Sequence, residues 1–366
     1  MQGKQTKQYI DALTKRTGIP YLDARLIREH RVIAQAASDE CITGEEPLFL
    51  YSCSKPVTVT ALMTLVEGGA LTLDTPVRDL LPAYGELYLA DGSRVKGTLT
   101  VRHLMSMSGG LSYQWNSYPF REELEARGER SVTRAVCDGF AKGRLLFEPG
   151  THFQYSLCHD VLGAVIEAAA AMPFSRYLEE AVLRPIGMTH TRFAKACDEV
   201  APFYETDAAT RTVRERQRRN DFVLAEGYES GGAGLVSTVN DYARFAATLA
   251  AGGVTADGKR ILTEDTLLAL RTPQLTEHEG FTCIQNSQGP DYAYGLGVRV
   301  RIAPTAWGLP VGEYGWDGAA GSYLMVDPVR GVAAVMGMHL LGWPNIFSGE
   351  HLRITECLFR DAGLIE

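Results

Sequence analysis

The chain has 366 residues, and its 36 lysines and arginines against 44 aspartates and glutamates give a formal net charge of -8. Hydrophobic residues make up 45% and charged residues 22%, which is enough apolar material for a core and excludes disorder as the dominant state. The acidic balance argues against general nucleic-acid binding, because phosphate contacts need clustered lysine and arginine.

The seven cysteines and the N-terminal segment indicate the compartment. The cysteines are odd in number and widely spaced, and no CxxC occurs, which argues against a disulfide framework and a structural zinc site. The first residues, MQGKQTKQYIDALTKRTG, lack the apolar core of a secretory signal, and no apolar stretch approaches the ~20 residues of a membrane span. We therefore expect a cytoplasmic protein with reduced thiols and no membrane segment.

The N-terminal part of the chain predicts a helix, short strands and a second helix. A helix is expected from Gln8 to about Arg16, and short strands within 20–35 and 47–51. Apolar residues then follow helical spacing from Lys55 to about Glu67, which predicts an amphipathic helix with Pro56 in its first turn.

The middle of the chain is mostly helical and the last third is rich in strands. Turns break residues 70–130. Helices are expected at 131–141, 159–172, 237–251, 263–271 and 349–361, and strands at 294–302, 321–328 and 331–340. We predict a discontinuous sheet domain of residues 1–75 and 280–366, with residues 76–279 as a mostly helical insertion and the active site at their junction.

The segment Ser52-Cys53-Ser54-Lys55 opens the predicted second helix. Ser52 and Lys55 are three residues apart, so they share one helix face. A serine hydroxyl needs a base to become a nucleophile, and a desolvated lysine can supply one. By itself the motif is weak, because an N-cap serine has the same pattern and Ser93-Arg94-Val95-Lys96 is a second match, in a glycine-flanked turn.

The context of this motif resembles the class C β-lactamases and the family VIII carboxylesterases. The nucleophile segment reads YSCSKPVTVTALMTLVEGGALTLDTPVRDLLPAYGE, and further blocks resemble the same group in the same order, at 99–111, 147–167, 178–193, 230–245 and 314–328. The resemblance implies an α/β fold of the β-lactamase type, with an antiparallel sheet flanked by helices and a mostly helical insertion domain. It also implies that Ser52 is the nucleophile.

A second block of the resemblance, at 147–167, supplies Tyr155 and Leu157. Tyr155 matches the tyrosine of the family's Tyr-x-Asn motif, and beside the Lys55 ammonium we expect its phenolate to take the proton of Ser52. The alternative is a tyrosine that only lines the pocket. Leu157 replaces the asparagine that hydrogen-bonds a substrate amide in β-lactamases, which weakens the case for amide-bearing substrates.

The last block places Trp316-Asp317-Gly318 where β-lactamases carry Lys-Thr-Gly, and it resembles the Trp-x-Gly variant of the family VIII esterases. Trp316 replaces the usual partner of a substrate carboxylate by an apolar wall; the alternative is a packed core aromatic. Gly318 permits close approach of the backbone. The resemblance implies that the N–H groups of Ser52 and Ala319 form the oxyanion hole.

Other candidate site residues are supported by weaker features of the sequence. Tyr113 and Trp115 lie in an aromatic-rich segment and either rim the acyl pocket or only pack. His339 follows the last predicted long strand and is a candidate substrate contact. The arginine-rich segment 211–219 is expected to be a solvated hairpin, or else a surface for acidic partners.

We predict a serine hydrolase that forms an acyl-enzyme on Ser52 and acts on small to medium carboxylic esters. It would need no cofactor and no metal, and its partner would be a small-molecule ester or amide rather than nucleic acid or membrane. Two alternatives remain open: a β-lactamase or D-aminopeptidase-like amidase, and a non-catalytic penicillin- or acyl-binding protein. The oligomeric state is not predicted.

Overall fold

A seven-stranded antiparallel sheet, built from both ends of the chain, is the framework of the computed structural model. The structure describes residues 3–196, 198–207, 209–275, 289, 291–343 and 349–366. The strands are β1 (Asp23–Arg28), β2 (Arg31–Ala37), β3 (Leu48–Phe49), β4 (Tyr88–Leu89), β5 (Arg144–Leu145), β6 (Arg192–Phe193), β7 (Phe203–Thr206), β8 (Val213–Arg216), β9 (Leu235–Ser237), β10 (Tyr292–Tyr294), β11 (Arg299–Arg301), β12 (Tyr314–Asp317), β13 (Tyr323–Asp327), β14 (Val332–Gly337) and β15 (Leu340–Leu341). In the large sheet they lie in the order β10-β11-β12-β13-β14-β1-β2.

The helices cover both faces of this sheet and form most of the middle of the chain. They are α1 (Lys4–Thr17), α2 (Ser54–Glu67), α3 (Val77–Leu80), α4 (Val101–Met105), α5 (Phe120–Glu125), α6 (Val132–Ala141), α7 (Cys158–Ala170), α8 (Phe174–Leu178), α9 (Arg184–Ile186), α10 (Val239–Ala250), α11 (Glu264–Leu270) and α12 (His351–Asp361). The β-lactamase-like arrangement predicted from the sequence, an antiparallel sheet flanked by helices with a mostly helical insertion, is confirmed. The domain boundaries at residues 75 and 280 stay a prediction.

The two ends of the chain meet at the pairing of β1 with β14. The register runs from Asp23 opposite Gly337 to Arg28 opposite Val332. Every residue of β14 is buried, because α10 packs on one face of the sheet and α1 and α12 pack on the other. The predicted continuous apolar run of this strand therefore reflects burial on both faces.

Helix α2 is buried on nearly all sides, which differs from the amphipathic helix expected. Residues 54–63 are all buried, with α7 on one side and β12 on another. The threonines that gave the pattern its polar face are satisfied inside the protein: Thr58 donates to the Gly231 carbonyl and Thr60 to the Pro56 carbonyl. A helix in this position carries its side chains into the centre of the molecule.

The strand expected over 294–302 is two strands with a turn between them. The Gly295 N–H donates to the Val298 carbonyl, and Gly297 has a φ of +87°. Only glycine adopts this backbone conformation without strain, so the turn separates β10 from β11.

The arginine-rich segment forms part of a hairpin, as expected. Strand β8 pairs with β7, and Arg214 and Arg216 both form ion pairs with Glu205. Much of the positive charge of this segment is therefore neutralised locally.

Among the described residues no single helix is long and apolar enough to cross a membrane. The bent pair of segments Cys158–Ala170 and Phe174–Ile186 passes that test together, by length and composition alone.

Candidate active site

The nucleophile candidate Ser52 lies on a sharp turn at the entrance to α2. A single 3-10 turn, Tyr51–Cys53, runs directly into this helix. Tyr51 has a φ of +46°, a left-handed conformation that costs a non-glycine residue about 1–3 kcal/mol. Ser52 is half-buried, whereas its neighbours Tyr51 and Cys53 are buried. The strained turn thus presents the Ser52 side chain at the surface of an otherwise closed segment.

The Lys55 ammonium group lies beneath Ser52 and has three oxygen partners. Its Nζ is 3.2 Å from the Ser52 Oγ, 3.0 Å from the Tyr113 hydroxyl and 2.7 Å from the Gly232 carbonyl oxygen. Burial lowers the pKa of Lys55 to about 7, although the negative charge of Asp160 opposes this. In the neutral amine, two N–H bonds can point to Tyr113 and Gly232, which leaves the lone pair for the Ser52 hydroxyl proton.

Asp160 is the charged group that the sequence analysis missed. Its Oδ1 accepts hydrogen bonds from the Tyr228 hydroxyl at 2.8 Å and the Ser230 Oγ at 2.6 Å. Burial raises the pKa of this carboxyl, while its attraction to Lys55 acts in the other direction. A Cβ added to Gly232 would lie 2.5 Å from the Asp160 Oδ2 and 3.6 Å from the Lys55 Nζ, so Gly232 lies between the two charges. The only sequence signal was its position five residues after Tyr155.

Tyr155 lies on the other side of Lys55 and contacts Trp316. The Trp316 Nε1 donates a hydrogen bond to the Tyr155 hydroxyl at 2.9 Å, and the Lys55 Nζ is 4.5 Å from the centre of the Tyr155 ring. Hydrogen bonds from Ser52 and Trp316 favour the ionised form, but burial outweighs them and raises the pKa of Tyr155. We expected a phenolate stabilised by a lysine ammonium; instead, burial disfavours both charges, so a neutral phenol faces a lysine that is easily deprotonated.

The turn after β12 is fastened to the nucleophile segment. The Gly318 N–H donates to the Ser322 carbonyl at 2.8 Å, and the Ser322 Oγ donates to the Leu50 carbonyl at 2.7 Å. A Cβ at Gly318 would lie 2.0 Å from the Ser322 Oγ and 2.3 Å from the Leu50 oxygen, so only glycine fits there. Ala319 is exposed between buried neighbours, and no hydrogen bond of the described residues uses its N–H. The placement suits a donor aimed at a substrate oxygen beside Ser52.

Aromatic rings form a wall on the Tyr113 side of the site. Phe222 lies 5.6 Å from Tyr113 and 5.4 Å from Trp115, measured between ring centres, and both contacts are edge-on. Tyr113 also lies 5.5 Å from Tyr155. Phe222 comes from the segment after the arginine-rich hairpin, and no sequence motif singled it out. Tyr113 thus has two roles in this geometry, since its ring lines the wall and its hydroxyl contacts Lys55.

The structure does not bring the other two pocket candidates to the open site. Leu157 immediately precedes α7 and is 1% exposed, within the main hydrophobic core. His339 accepts a hydrogen bond from the Phe49 N–H at its Nε2, and its Nδ1 lies 3.2 Å from the carbonyl oxygens of Ala201 and Pro202. Burial lowers the pKa of His339 to about 4. Both ring nitrogens are used by backbone groups, so this placement offers no nitrogen to a substrate.

The cysteine next to the nucleophile is not activated. The Cys53 Sγ lies 3.5 Å from the Trp316 carbonyl oxygen, and burial raises the pKa of this thiol to about 12. Cys197 and Cys283 lie outside the described residues. Within the described ranges, no group of three or more His, Cys, Asp or Glu side chains is placed to hold a metal ion.

Comparison with known proteins identifies the family. The family model described as Beta-lactamase matches residues 6–354. The chain belongs to the β-lactamase family. It is 30% identical over 328 residues to esterase EstB of Burkholderia gladioli, covering 80% of this chain and 77% of that one.

Other relatives share the fold over most of their length. The structure of EstCE1, a hydrolase with promiscuous acyltransferase activity, superposes with a TM-score of 0.76 at 26% identity, covering 98% of this chain and 99% of that one. The acyltransferase calJ of Penicillium decumbens is 26% identical over 335 residues, covering 84% of this chain and 74% of that one. The likeness to both an esterase and an acyltransferase points to chemistry at an acyl group.

Proposed function

We propose that this member of the β-lactamase family is a serine hydrolase that cleaves small to medium carboxylic esters through an acyl-enzyme on Ser52. The observation that carries the proposal is the buried Lys55, whose pKa is lowered to about 7 and whose Nζ lies 3.2 Å from the Ser52 Oγ. A base of this pKa is half neutral near pH 7 and can accept the serine proton. The family membership and the likeness to EstB and EstCE1 support the same chemistry.

Acylation follows from the positions of three side chains. Neutral Lys55 accepts the Ser52 proton while the Oγ bonds to the ester carbonyl carbon, and the carbonyl oxygen takes the negative charge. The N–H groups of Ser52 and Ala319 are the proposed donors to this oxyanion, each typically contributing a few kcal/mol to lowering the barrier. The C–O bond to the alcohol then breaks. Tyr155, protonated because its pKa is raised, gives its proton to the departing alkoxide, and the proton on Lys55 restores the phenol.

Deacylation uses the same groups with water in place of the alcohol. Lys55 accepts a proton from water as the water oxygen bonds to the acyl carbon. The bond to the Ser52 Oγ breaks, the serine oxygen regains a proton from Lys55, and the carboxylic acid leaves. The Trp316 Nε1–H donates a hydrogen bond to the Tyr155 hydroxyl oxygen. This hydrogen bond stabilises the negative charge that develops on the phenol oxygen while it transfers its proton.

The side chains around Ser52 favour a neutral ester over a β-lactam or peptide. Trp316 stands where β-lactamases carry a cation for the substrate carboxylate. Leu157, in place of the amide-binding asparagine, is buried in the main core and supplies no hydrogen-bonding side chain to the site. The wall of Tyr113, Trp115 and Phe222 is apolar and aromatic. The cytoplasmic location stays a prediction from the sequence.

A comparison of substrates tests this proposal. Incubation with p-nitrophenyl butyrate is expected to give a burst of p-nitrophenol followed by steady turnover, while a chromogenic cephalosporin is turned over slowly or not at all. Fast cephalosporin turnover without ester hydrolysis would mean a β-lactamase. A stoichiometric burst without turnover on either compound would mean an acyl-binding protein.

The assignment of Ser52 has its own test with a matched control. Ser52→Ala is expected to abolish covalent labelling by a fluorophosphonate and to lower kcat/KM by at least about 10⁴-fold, as loss of a nucleophile does in other serine hydrolases. The control is Ser93→Ala, which removes the serine of the second Ser-x-x-Lys match and lies in an exposed turn. Labelling that survives Ser52→Ala would place the nucleophile elsewhere.

A further inference from the structure

We propose that His351, the first residue of α12, is a positioning residue that holds the Gly318–Gly321 turn in the orientation that aims the Ala319 N–H at the oxyanion. This inference rests on the proposed function and adds a residue to it from the far end of the chain. His351 is fully buried, and its ring lies between the strand that carries Trp316 and the turn that follows it. Its Nδ1 is 2.8 Å from the Asp317 Oδ1, and its Nε2 is 3.2 Å from the Gly321 carbonyl oxygen.

The Asp317 carboxylate and the Gly321 carbonyl, which contact the His351 ring, are oxygen acceptors. A carbonyl oxygen cannot donate, and the Asp317 carboxylate already accepts a hydrogen bond from the Arg299 guanidinium at 2.8 Å on its other oxygen. Arg299 is itself fixed by the Leu324 carbonyl at 3.1 Å and by Glu313 at 3.4 Å. The Nε2 of His351 therefore carries a hydrogen that it donates to the Gly321 carbonyl, and the ring joins the fixed Asp317 carboxylate to the backbone of the turn.

Several other polar groups of the turn are already held by the protein. The Gly321 N–H donates to the Gly318 carbonyl at 2.8 Å, and the Ala320 carbonyl accepts from the Leu340 N–H at 3.1 Å. The Gly321 carbonyl is held by His351, while the Ala319 N–H has no partner among the described residues. Rotation of the Gly321 peptide group would displace the backbone at a position only two residues after Ala319. The His351 Nε2, which bonds the Gly321 carbonyl, is the side-chain group that opposes this rotation.

The strand geometry places the contact of His351 with Asp317 on the face of β12 opposite to the active site. Successive side chains of β12 point to opposite faces of the sheet, so Trp316 faces Tyr155 while Asp317 faces Arg299 and His351. The ring of Tyr323 packs against His351 with ring centres 4.5 Å apart. The turn is thus held from the front through Ser322 and Leu50, and from the back through His351.

The competing interpretation is that His351 only stabilises the buried ion pairs between sheet and helix. Two substitutions separate these roles. In His351→Gln the side-chain amide nitrogen reaches about as far as the His Nε2 and can still donate to the Gly321 carbonyl. In His351→Asn the amide nitrogen reaches only as far as the Nδ1, so it keeps a donor for Asp317 and loses the one for the turn.

The readouts are the rate of fluorophosphonate labelling of Ser52, and kcat and KM for p-nitrophenyl butyrate, in the full-length protein. We expect His351→Asn to lower the labelling rate and kcat together by about 10- to 100-fold with little change in KM, because a donor moved from the oxyanion affects the transition state alone. His351→Gln should retain most of both rates. Thr355→Val, one turn further along α12, removes a buried hydroxyl whose one hydrogen bond among the described residues goes to the His351 carbonyl, and should leave both rates unchanged.

Equal loss in the Asn and Gln variants, or no loss in the Asn variant, would overturn the proposal. The proposed function fails differently, since the wild-type protein would then not turn over p-nitrophenyl butyrate.

Should the Asn variant not fold, nitrogen NMR of wild-type protein with 15N-labelled histidine at pH 6 decides the same question. Two further histidines, His159 and His339, are deeply buried; burial lowers their pKa values to about 3 and about 4, and each should show one ring N–H. His351 should show a slowly exchanging N–H at its Nε2, and an Nε2 that carries no hydrogen would overturn the assignment.

Discussion

At the scale of single residues, the proton chemistry depends on the lowered pKa of Lys55. Activity needs the neutral amine, and the pKa of this group falls from 10.5 to about 7 on burial. We therefore expect kcat/KM to rise with pH through an apparent pKa near 7 and to reach a plateau above it, with a tenfold loss per pH unit on the acid side. A rate that does not change between pH 5 and pH 8 would exclude Lys55 as the base.

The carboxylate of Asp160 should set the pH at which kcat/KM rises, the acid limb of the pH profile. Its attraction favours the charged lysine, so Asp160→Asn is expected to lower the Lys55 pKa further and to move the limb to lower pH. The Asn oxygen can still accept from Tyr228 and Ser230. The control is Glu167→Gln, a half-buried acid two turns further along α7, which should leave the limb in place. An unmoved limb in the Asn variant would mean that Asp160 is protonated and exerts no attraction.

At the scale of elements, the sequence predicted which segments carry the chemistry but not how they are enclosed. The Ser-x-x-Lys motif and the blocks around Tyr155 and Trp316 identified three segments that the structure brings together. Asp160 and Phe222 were missed, because their roles arise from contacts between distant segments rather than from a local pattern. The buried environment of Lys55 was likewise invisible, since helix α2 reads as amphipathic while its threonines are satisfied internally.

The turn after β12 gives a prediction at this scale. Gly318→Ala places a methyl group 2.3 Å from the Leu50 carbonyl oxygen, so the turn must move away from the nucleophile segment. We expect the fluorophosphonate labelling rate to fall by about 100-fold while the circular dichroism spectrum is retained, because the turn is one short connection of a large sheet. Gly85→Ala is the control, since nothing lies within 4 Å of the added Cβ and the backbone is unstrained. A fully active Gly318→Ala variant would contradict the oxyanion role of the turn.

At the scale of the whole molecule, the distribution of predicted strands and helices predicted a sheet made from both ends of the chain, and the observed strand order agrees. The order β14-β1-β2 at one end of the sheet could not be read from hydrophobic patterns, because pairing of β1 with a strand about 300 residues away leaves no local signal. The prediction of a single strand over 294–302 was wrong for a local reason, because the left-handed backbone of Gly297 makes a turn there.

The closure of the sheet by the chain ends is itself testable. Asp361, at the end of α12, accepts hydrogen bonds from the backbone N–H groups of Gln5 and Thr6 at 2.9 and 2.8 Å and from the Thr6 Oγ1 at 2.6 Å. It therefore satisfies the first turn of α1, a role worth about 1–3 kcal/mol when a carboxylate caps partly buried N–H groups. Asp361→Ala should lower the free energy of unfolding in urea by that amount and leave kcat at 25 °C unchanged, because the contact lies across the sheet from Ser52.

The control for this variant is Asp11→Ala on the same helix. Asp11 is exposed and, within the part of the chain that the structure describes, its carboxylate pairs with Lys7 alone, so its loss should change the free energy of unfolding by no more than about 0.5 kcal/mol. Because α1 and α12 pack on the sheet that carries β12, esterase activity and ellipticity should be lost in the same urea transition in wild type and in Asp361→Ala. Loss of helical signal at a urea concentration where the esterase is still fully active would show instead that the chain ends unfold independently of the active-site turn.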